Sequence, residues 1–212
     1  GFPKGCFQTL LVSHDQIETI IGNDIVKAVS LTGSEGAGRK IAEIAGKNLK
    51  KAVLELGGNN ACIVLKDADL DKHIGTMTWA RMQNAGQSCI AAKRFIVVED
   101  IYDEFLTKFK AKVESYVVGN PMEDKTEVAT MASVSLAEEV EQQVKKSLDK
   151  GAKVVYGNKR EDALYHPTIL ENVTAEMPVF KEEVFGPVAA IITVKNEDEA
   201  YEAASSSRFG LG

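Results

Sequence analysis

Cys89 stands in "NAGQSCIAAKR", after the flexible Gly86 and the polar Gln87 and Ser88, in a turn where a backbone N–H can point at a bound oxyanion. A thiol in that setting is a candidate nucleophile, and the cations Lys93 and Arg94 that follow would favour a thiolate if they face it. A small buried side chain explains a lone cysteine as well, and that is the reading for Cys62 in "ACIVL". Glu55 closes the apolar run of "LELGG". Withdrawn from water, a carboxylate there is a stronger base and can take a proton near neutrality; on a solvated strand end it is an ordinary surface acid. Gly57 and Gly58 let a backbone or a ligand pass closely.

Two further stretches offer binding chemistry. In "LTGSEGAG", Ser34 can cap a helix while Gly33, Gly36 and Gly38 permit close approach, so the helix start can hold a phosphate; ordinary capping accounts for the same residues, and the spacing is not G-x-G-x-x-G. In "KEEVFGPV", an acid such as Glu183 can accept from ribose hydroxyls and Phe185 can pack on a planar ring, although a charged turn before a strand explains these letters too. His14, His73 and His166 form no H-E-x-x-H or nucleophile–base pattern, G-x-S-x-G is absent, and Trp79 reads as core. The three cysteines are widely spaced, without C-x-x-C or clustered histidines, so neither a disulfide framework nor a metal site is expected.

These residues have to be positioned by an α/β fold. "DIVKAVSLTG", "KKAVLELGG", "ACIVL", "KRFIVVE", "AKVVYG", "HPTIL" and "PVAAIITV" read as strands, and stretches of helical period lie between the first and second, the third and fourth, and the fourth and fifth, the pattern of a mostly parallel sheet. "SEGAGRKIAEIAG" and "DLDKHIGTMTWARMQN" are the first two expected helices. Ile101, Phe105, Phe109 and Val113 line one face of the next, and Leu136, Val140, Val144 and Leu148 one face of the last, which Gly151 stops. "GNPMEDKTE" from Gly119 is the clearest loop. With 212 residues, 44% of them hydrophobic, the chain can bury a substantial core. A net charge of -6 without a basic run gives no footprint for nucleic acid or an anionic membrane. No apolar run is long enough to span a bilayer and "GFPKGCF" lacks signal-peptide order, so a soluble, cytoplasmic protein acting on a small molecule is expected.

Taken in order, "LTGS", "LELGG", "GQSC" and "EEVFGPV" resemble the aldehyde dehydrogenase superfamily, from "GFPKG" to "SSSRFGLG". The resemblance implies part of a Rossmann-like coenzyme domain over residues 1–58 and an α/β catalytic domain over 59–212. It makes Cys89 the nucleophile and Glu55 the general base, with Gly33, Ser34, Gly57, Glu183 and Phe185 on the cofactor, NAD or NADP. The implied reaction oxidises a small aldehyde to an acid through a thiohemiacetal and a thioester. "GQSCIAAKRFIV" and "PVFKEEVFGPVAAI" look most like the succinate-semialdehyde dehydrogenase branch. Release to coenzyme A needs no hydrolytic base, so Glu55 favours hydrolysis over a CoA-acylating enzyme. Asn59 stands where many members have lysine. The family's P-W-N segment and its cofactor-selecting strand end would precede Gly1, and its assembly strand would follow "FGLG". The chain therefore reads as a central piece of a longer, homo-oligomeric enzyme, expected to be inactive or poorly soluble alone, with a non-catalytic structural or assembly role as the alternative.

Overall fold

In the computed structural model, residues 1–211 are described; Gly212, at the end of the expected catalytic part, lies outside the described residues. The chain divides into two compact units, Gly1–Gly57 and the remainder from Gly58.

The first unit is built on a βαβ arrangement. After α1 (Ile17–Gly22) come β1 (Ala28–Thr32), α2 (Glu35–Lys47) and β2 (Lys51–Glu55). β1 and β2 pair in parallel, from Ala28 beside Lys51 to Thr32 beside Glu55. α2 begins where it does because the Ser34 Oγ accepts from the Ala37 N–H at 3.3 Å, satisfying a donor that the helix start leaves over. It buries Gly38, Ile44 and Ala45. A Cβ on Gly38 would stand 2.6 Å from the Leu56 side chain, which explains the third glycine of "GSEGAG" as a packing residue.

The second unit holds the main core. Its elements are β3 (Asn60–Val64), α3 (Leu70–Met82), β4 (Ala92–Val98), α4 (Tyr102–Glu114), α5 (Val134–Leu148), β5 (Lys153–Tyr156), a hairpin of β6 (Arg160–Glu161) and β7 (Leu164–Tyr165), β8 (Thr168–Glu171), α6 (Pro178–Lys181), β9 (Val188–Val194) and α7 (Glu197–Ser205). The sheet order is β3-β4-β9-β8-β5, parallel except for β5, which runs antiparallel to β8. β4 and β9 are buried almost throughout, as near-continuous apolar strands covered on both faces must be. Phe95 on β4 packs against Phe105 and Phe109 of α4, with the Phe95–Phe109 ring centroids 4.8 Å apart and edge-on. Ile101, Phe105, Phe109 and Val113 are buried, as their spacing predicts, and Gly151 takes a φ of +106° just beyond α5.

Trp79 departs from expectation. It is 56% exposed, because α3 turns Leu70, Thr78, Arg81 and Met82 to the core and leaves Trp79 off that stripe. α1, α7 and the hairpin are not evident from periodicity. α7 is short and strongly acidic at its start, and its clearest local signal is the cap, in which the Asn196 carboxamide oxygen accepts from the Glu199 N–H at 3.0 Å. No helix among the described residues is long and apolar enough to cross a membrane.

Candidate active site

Parallel pairing brings the leading ends of three strands together. Asn60 of β3 lies beside Ala92 of β4, and Arg94 of β4 beside Ala190 of β9. The residues just before those strands, Gly58 and Asn59, Cys89 to Ala91, and Glu183 to Pro187, therefore gather at one edge of the sheet.

Cys89 is half-buried in the connection from α3 to β4. Upstream of it the chain makes an unusual turn: Asn84 (φ 51°, ψ 37°), Ala85 (φ 52°, ψ 36°) and Gly86 (φ 73°) are all left-handed. For alanine this conformation costs about 1 kcal/mol or more, so the surroundings must enforce it. They do so through hydrogen bonds. The Asn84 carboxamide donates to the Gln87 carbonyl at 3.0 Å and the Gln87 carboxamide to the Asn84 carbonyl at 3.1 Å, while the Gln87 Oε1 accepts from the Ala132 N–H at 2.9 Å. From beneath, the buried Arg81 donates to the Gly86 carbonyl. Its Nε and Nη1 have no hydrogen-bond partner, and burial pushes the guanidinium pKa down while Glu183 opposes the shift. Gly86 itself abuts another backbone, since a Cβ there would lie 2.2 Å from the Gly186 oxygen.

The two cations after Cys89 take different directions. The Lys93 Nζ donates to the carbonyls of Ser88 at 2.8 Å and Cys89 at 2.9 Å, and lies 3.3 Å from the Glu183 Oε1. Its side chain is wholly buried, and desolvation pushes its pKa down to about 8 despite the opposing pull of Glu183. Arg94 turns away. It donates to the Asn59 carbonyl at 2.8 Å and to the carbonyls of Ala203 and Ala204 in α7, and it lies over the Phe180 ring. Lys93 thus meets the Cys89 turn and Arg94 braces the strand behind it.

Glu183 and Gly58 complete this edge. The Glu183 Oε1 also accepts from the Gly58 N–H at 3.1 Å, and its side chain is 18% exposed, so one partly accessible carboxylate joins two strand ends. A Cβ on Gly58 would stand 2.5 Å from the Cys89 carbonyl oxygen, which makes the second glycine of "LELGG" a seat for the cysteine backbone. Asn59 is buried, donates to the Phe180 carbonyl at 2.8 Å and leaves its Oδ1 without a partner. Phe185 is more than a third exposed. Cys62 packs against the core, and burial raises its thiol pKa to about 11.

In the first unit, Glu55 is exposed at the end of β2 rather than withdrawn from water. Its carbonyl accepts from the Gly33 N–H at 2.9 Å, which sets Gly33 and Ser34 beside that strand end. Gly33 and Gly36 leave the start of α2 bare: a Cβ on Gly36 would meet only the Ser34 Oγ, at 3.9 Å. That exposed backbone at the positive end of a helix has the donor chemistry a pyrophosphate requires. Gly57 closes this unit. The structure thus brings Gly58, Cys89 and Glu183 together in one unit, and Gly33, Ser34 and Glu55 in the other. Sequence reasoning missed the junction of Lys93 with Glu183 and the roles of Arg81 and Gln87. The signal it had for Lys93 was a cation four residues after Cys89, a place it shared with the neighbouring Arg94. Among the described residues, no three His, Cys, Asp or Glu side chains cluster to hold a metal.

The family model for "Aldehyde dehydrogenase family" matches residues 1–212. The chain belongs to the aldehyde dehydrogenase family. Among curated relatives, the succinate-semialdehyde dehydrogenase [NADP(+)] of Mycobacterium leprae is 47% identical over 215 residues, which takes in 100% of this chain and 47% of that one. This aldehyde dehydrogenase chain therefore spans about half the length of the curated relatives it matches. Among solved structures, the succinic semialdehyde dehydrogenase of Streptococcus pyogenes in complex with NADP+ has a TM-score of 0.91 and 42% identity, covering 96% of this chain and 45% of that one. Aldehyde dehydrogenase 21 of Physcomitrella patens, in complex with the reaction product succinate, has a TM-score of 0.88 and 36% identity, over 95% of this chain and 42% of that one. The α/β architecture expected from the strand and helix pattern is that of the aldehyde dehydrogenases.

Proposed function

We propose that the full-length protein oxidises succinate semialdehyde to succinate with NADP+, using Cys89 as nucleophile and Glu55 as general base. The observation that carries this reading is the Cys89 turn. A half-buried thiol there is backed by a carbonyl-binding lysine, a seating glycine and a carboxylate, in a chain 47% identical to NADP-dependent relatives of that name. In the reaction, the Cys89 thiol gives up its proton to solvent, its sulfur forms a bond to the aldehyde carbon and the carbonyl π pair moves to oxygen, where the Cys89 N–H donates to it. When bound, NADP+ supplies the acceptor for the hydride that leaves that carbon. Gly33 and Ser34 would hold its pyrophosphate at the start of α2, with Gly57, Glu183 and Phe185 serving its nicotinamide half. The Cys89 thioester left behind is cleaved by a water whose proton goes to Glu55, and the C–S bond breaks to return the thiol.

The substrate assignment is tested with the full-length protein by following NADPH absorbance. Succinate semialdehyde is expected to exceed butanal, which has the same carbon chain and no carboxylate, by about 100-fold or more in kcat/KM, the scale of losing a charged contact. Equal values for the two aldehydes would overturn the substrate, and a preference for NAD+ over NADP+ would overturn the coenzyme.

A further inference from the structure

Lys93 is a wholly buried ammonium whose three N–H donors meet three acceptors: the Ser88 carbonyl at 2.8 Å, the Cys89 carbonyl at 2.9 Å and the Glu183 carboxylate at 3.3 Å. The Ser88 carbonyl also accepts from the Ala91 N–H at 3.2 Å, so the lysine reinforces a turn already closed by the backbone. An ammonium is stable away from water only while its partners are in place, so the arrangement resists loosening. The geometry has a consequence for Cys89. The carbonyl of Ser88 and the N–H of Cys89 belong to one planar, trans peptide unit and point in opposite directions. Anchoring the Ser88 oxygen on Lys93 therefore aims the Cys89 N–H away from the lysine. The second anchor, on the Cys89 oxygen, prevents the next peptide from rotating in compensation. Gly58, whose absent Cβ would come within 2.5 Å of that same oxygen, leaves it the space to turn inward.

We propose that Lys93 is a positioning residue for the reaction: by fixing the carbonyls of Ser88 and Cys89 it orients the Cys89 N–H as the donor to the oxyanion. The proposal rests on Cys89 being the nucleophile, as set out above. It assigns Lys93 to the orientation of a donor rather than to the reactivity of the thiol, and those two effects separate experimentally. Attack on an aldehyde puts charge on oxygen, whereas alkylation by iodoacetamide displaces iodide at a saturated carbon and creates no oxyanion.

The test uses the full-length enzyme with saturating NADP+, comparing wild type with Lys93→Met, Lys93→Arg, Glu183→Gln and the double variant Lys93→Met/Glu183→Gln, in which the lysine and its carboxylate partner are neutralised together. In Lys93→Met, kcat and kcat/KM for the aldehyde are expected to fall together by about 10- to 100-fold, with KM unchanged, as when an interaction made only in the transition state is lost. Lys93→Arg, which keeps carbonyl donors, is expected to recover part of the loss. Iodoacetamide labelling of Cys89, followed on its peptide by mass spectrometry, is expected to fall far less than kcat in every variant, because the Lys93 charge acts only weakly on the Cys89 sulfur. Should Lys93→Met misfold, the double variant is compared with Glu183→Gln alone, which takes out whatever the coenzyme contact of Glu183 contributes. Unchanged kcat in a folded variant lacking Lys93 would overturn the proposal, as would an equal loss in labelling rate. Cys89→Ala run alongside separates the two readings: full turnover there would remove the nucleophile itself, whereas an inactive Cys89→Ala beside a fully active Lys93→Met would remove only the role given to Lys93.

Discussion

Replacing Cys89 by alanine in the full-length protein is expected to lower NADPH formation from succinate semialdehyde by about four orders of magnitude or more, the scale on which loss of a covalent nucleophile acts. The loss should leave the fold intact, because a half-buried sulfur contributes on the order of 1 kcal/mol or less to stability. Cys6→Ala and Cys62→Ala are the matching controls, and both are expected to remain active. Cys6 is exposed near the start of the chain, and the Cys62 thiol is buried against the core with its pKa raised to about 11, so it is poorly supplied with thiolate at neutral pH. Stopped assays at matched protein concentration with a thermal melt on each variant decide the matter. Loss of activity in Cys62→Ala with retention in Cys89→Ala would reverse the assignment.

Gly86→Ala is expected to be the most damaging single-methyl change in the site. The added carbon would lie 2.2 Å from the Gly186 oxygen and 2.3 Å from its carbonyl carbon, both backbone atoms, and 2.7 Å from the Arg81 guanidinium. It would also impose a third left-handed residue with a side chain on a turn that already carries Asn84 and Ala85 in that conformation. Backbone that cannot yield and an unfavourable φ together are expected to cost about 2–4 kcal/mol. The turn would relax by moving its Cys89 end, and a displacement near 1 Å at a reacting atom lowers kcat/KM by about 100-fold. Gly75→Ala provides the contrast: it lies on α3 with nothing within 4 Å of the new carbon, so it is expected to be neutral or stabilising by about 0.5–1 kcal/mol. Chemical denaturation and steady-state kinetics on both variants check the pair, and equal stability for the two would refute the packing argument.

What could be read from the letters was whatever depends on short spacings. The apolar runs that became β4 and β9, the i, i+4 stripes of α4 and α5, and the Ser34 cap all use information within a few residues. Trp79 was misplaced because a stripe two residues wide decides burial in α3, and one step of about 100° leaves it. At the candidate site the glycines were visible but their reasons were not. Gly58 meets the Cys89 carbonyl and Gly86 meets the Gly186 carbonyl only because three parallel strands start side by side. The same topology brings Lys93 to Glu183 across ninety residues of chain, so no local pattern reveals the ion pair or tells Lys93 from Arg94. Glu55 shows the opposite limit, since its place on the strand was legible while its exposure depends on what surrounds that strand end.

Trapping of the acyl-enzyme tests the central claim most directly. Full-length Glu55→Gln protein, mixed with NADP+ and succinate semialdehyde and quenched in acid, is expected to release about one equivalent of NADPH per active site and then to slow by about 100-fold or more as thioester hydrolysis loses its base. The peptide containing Cys89 should then carry the succinyl group, and the peptides of Cys6 and Cys62 should not. Steady turnover at the wild-type rate, or a succinyl group on a residue other than Cys89, would contradict the account.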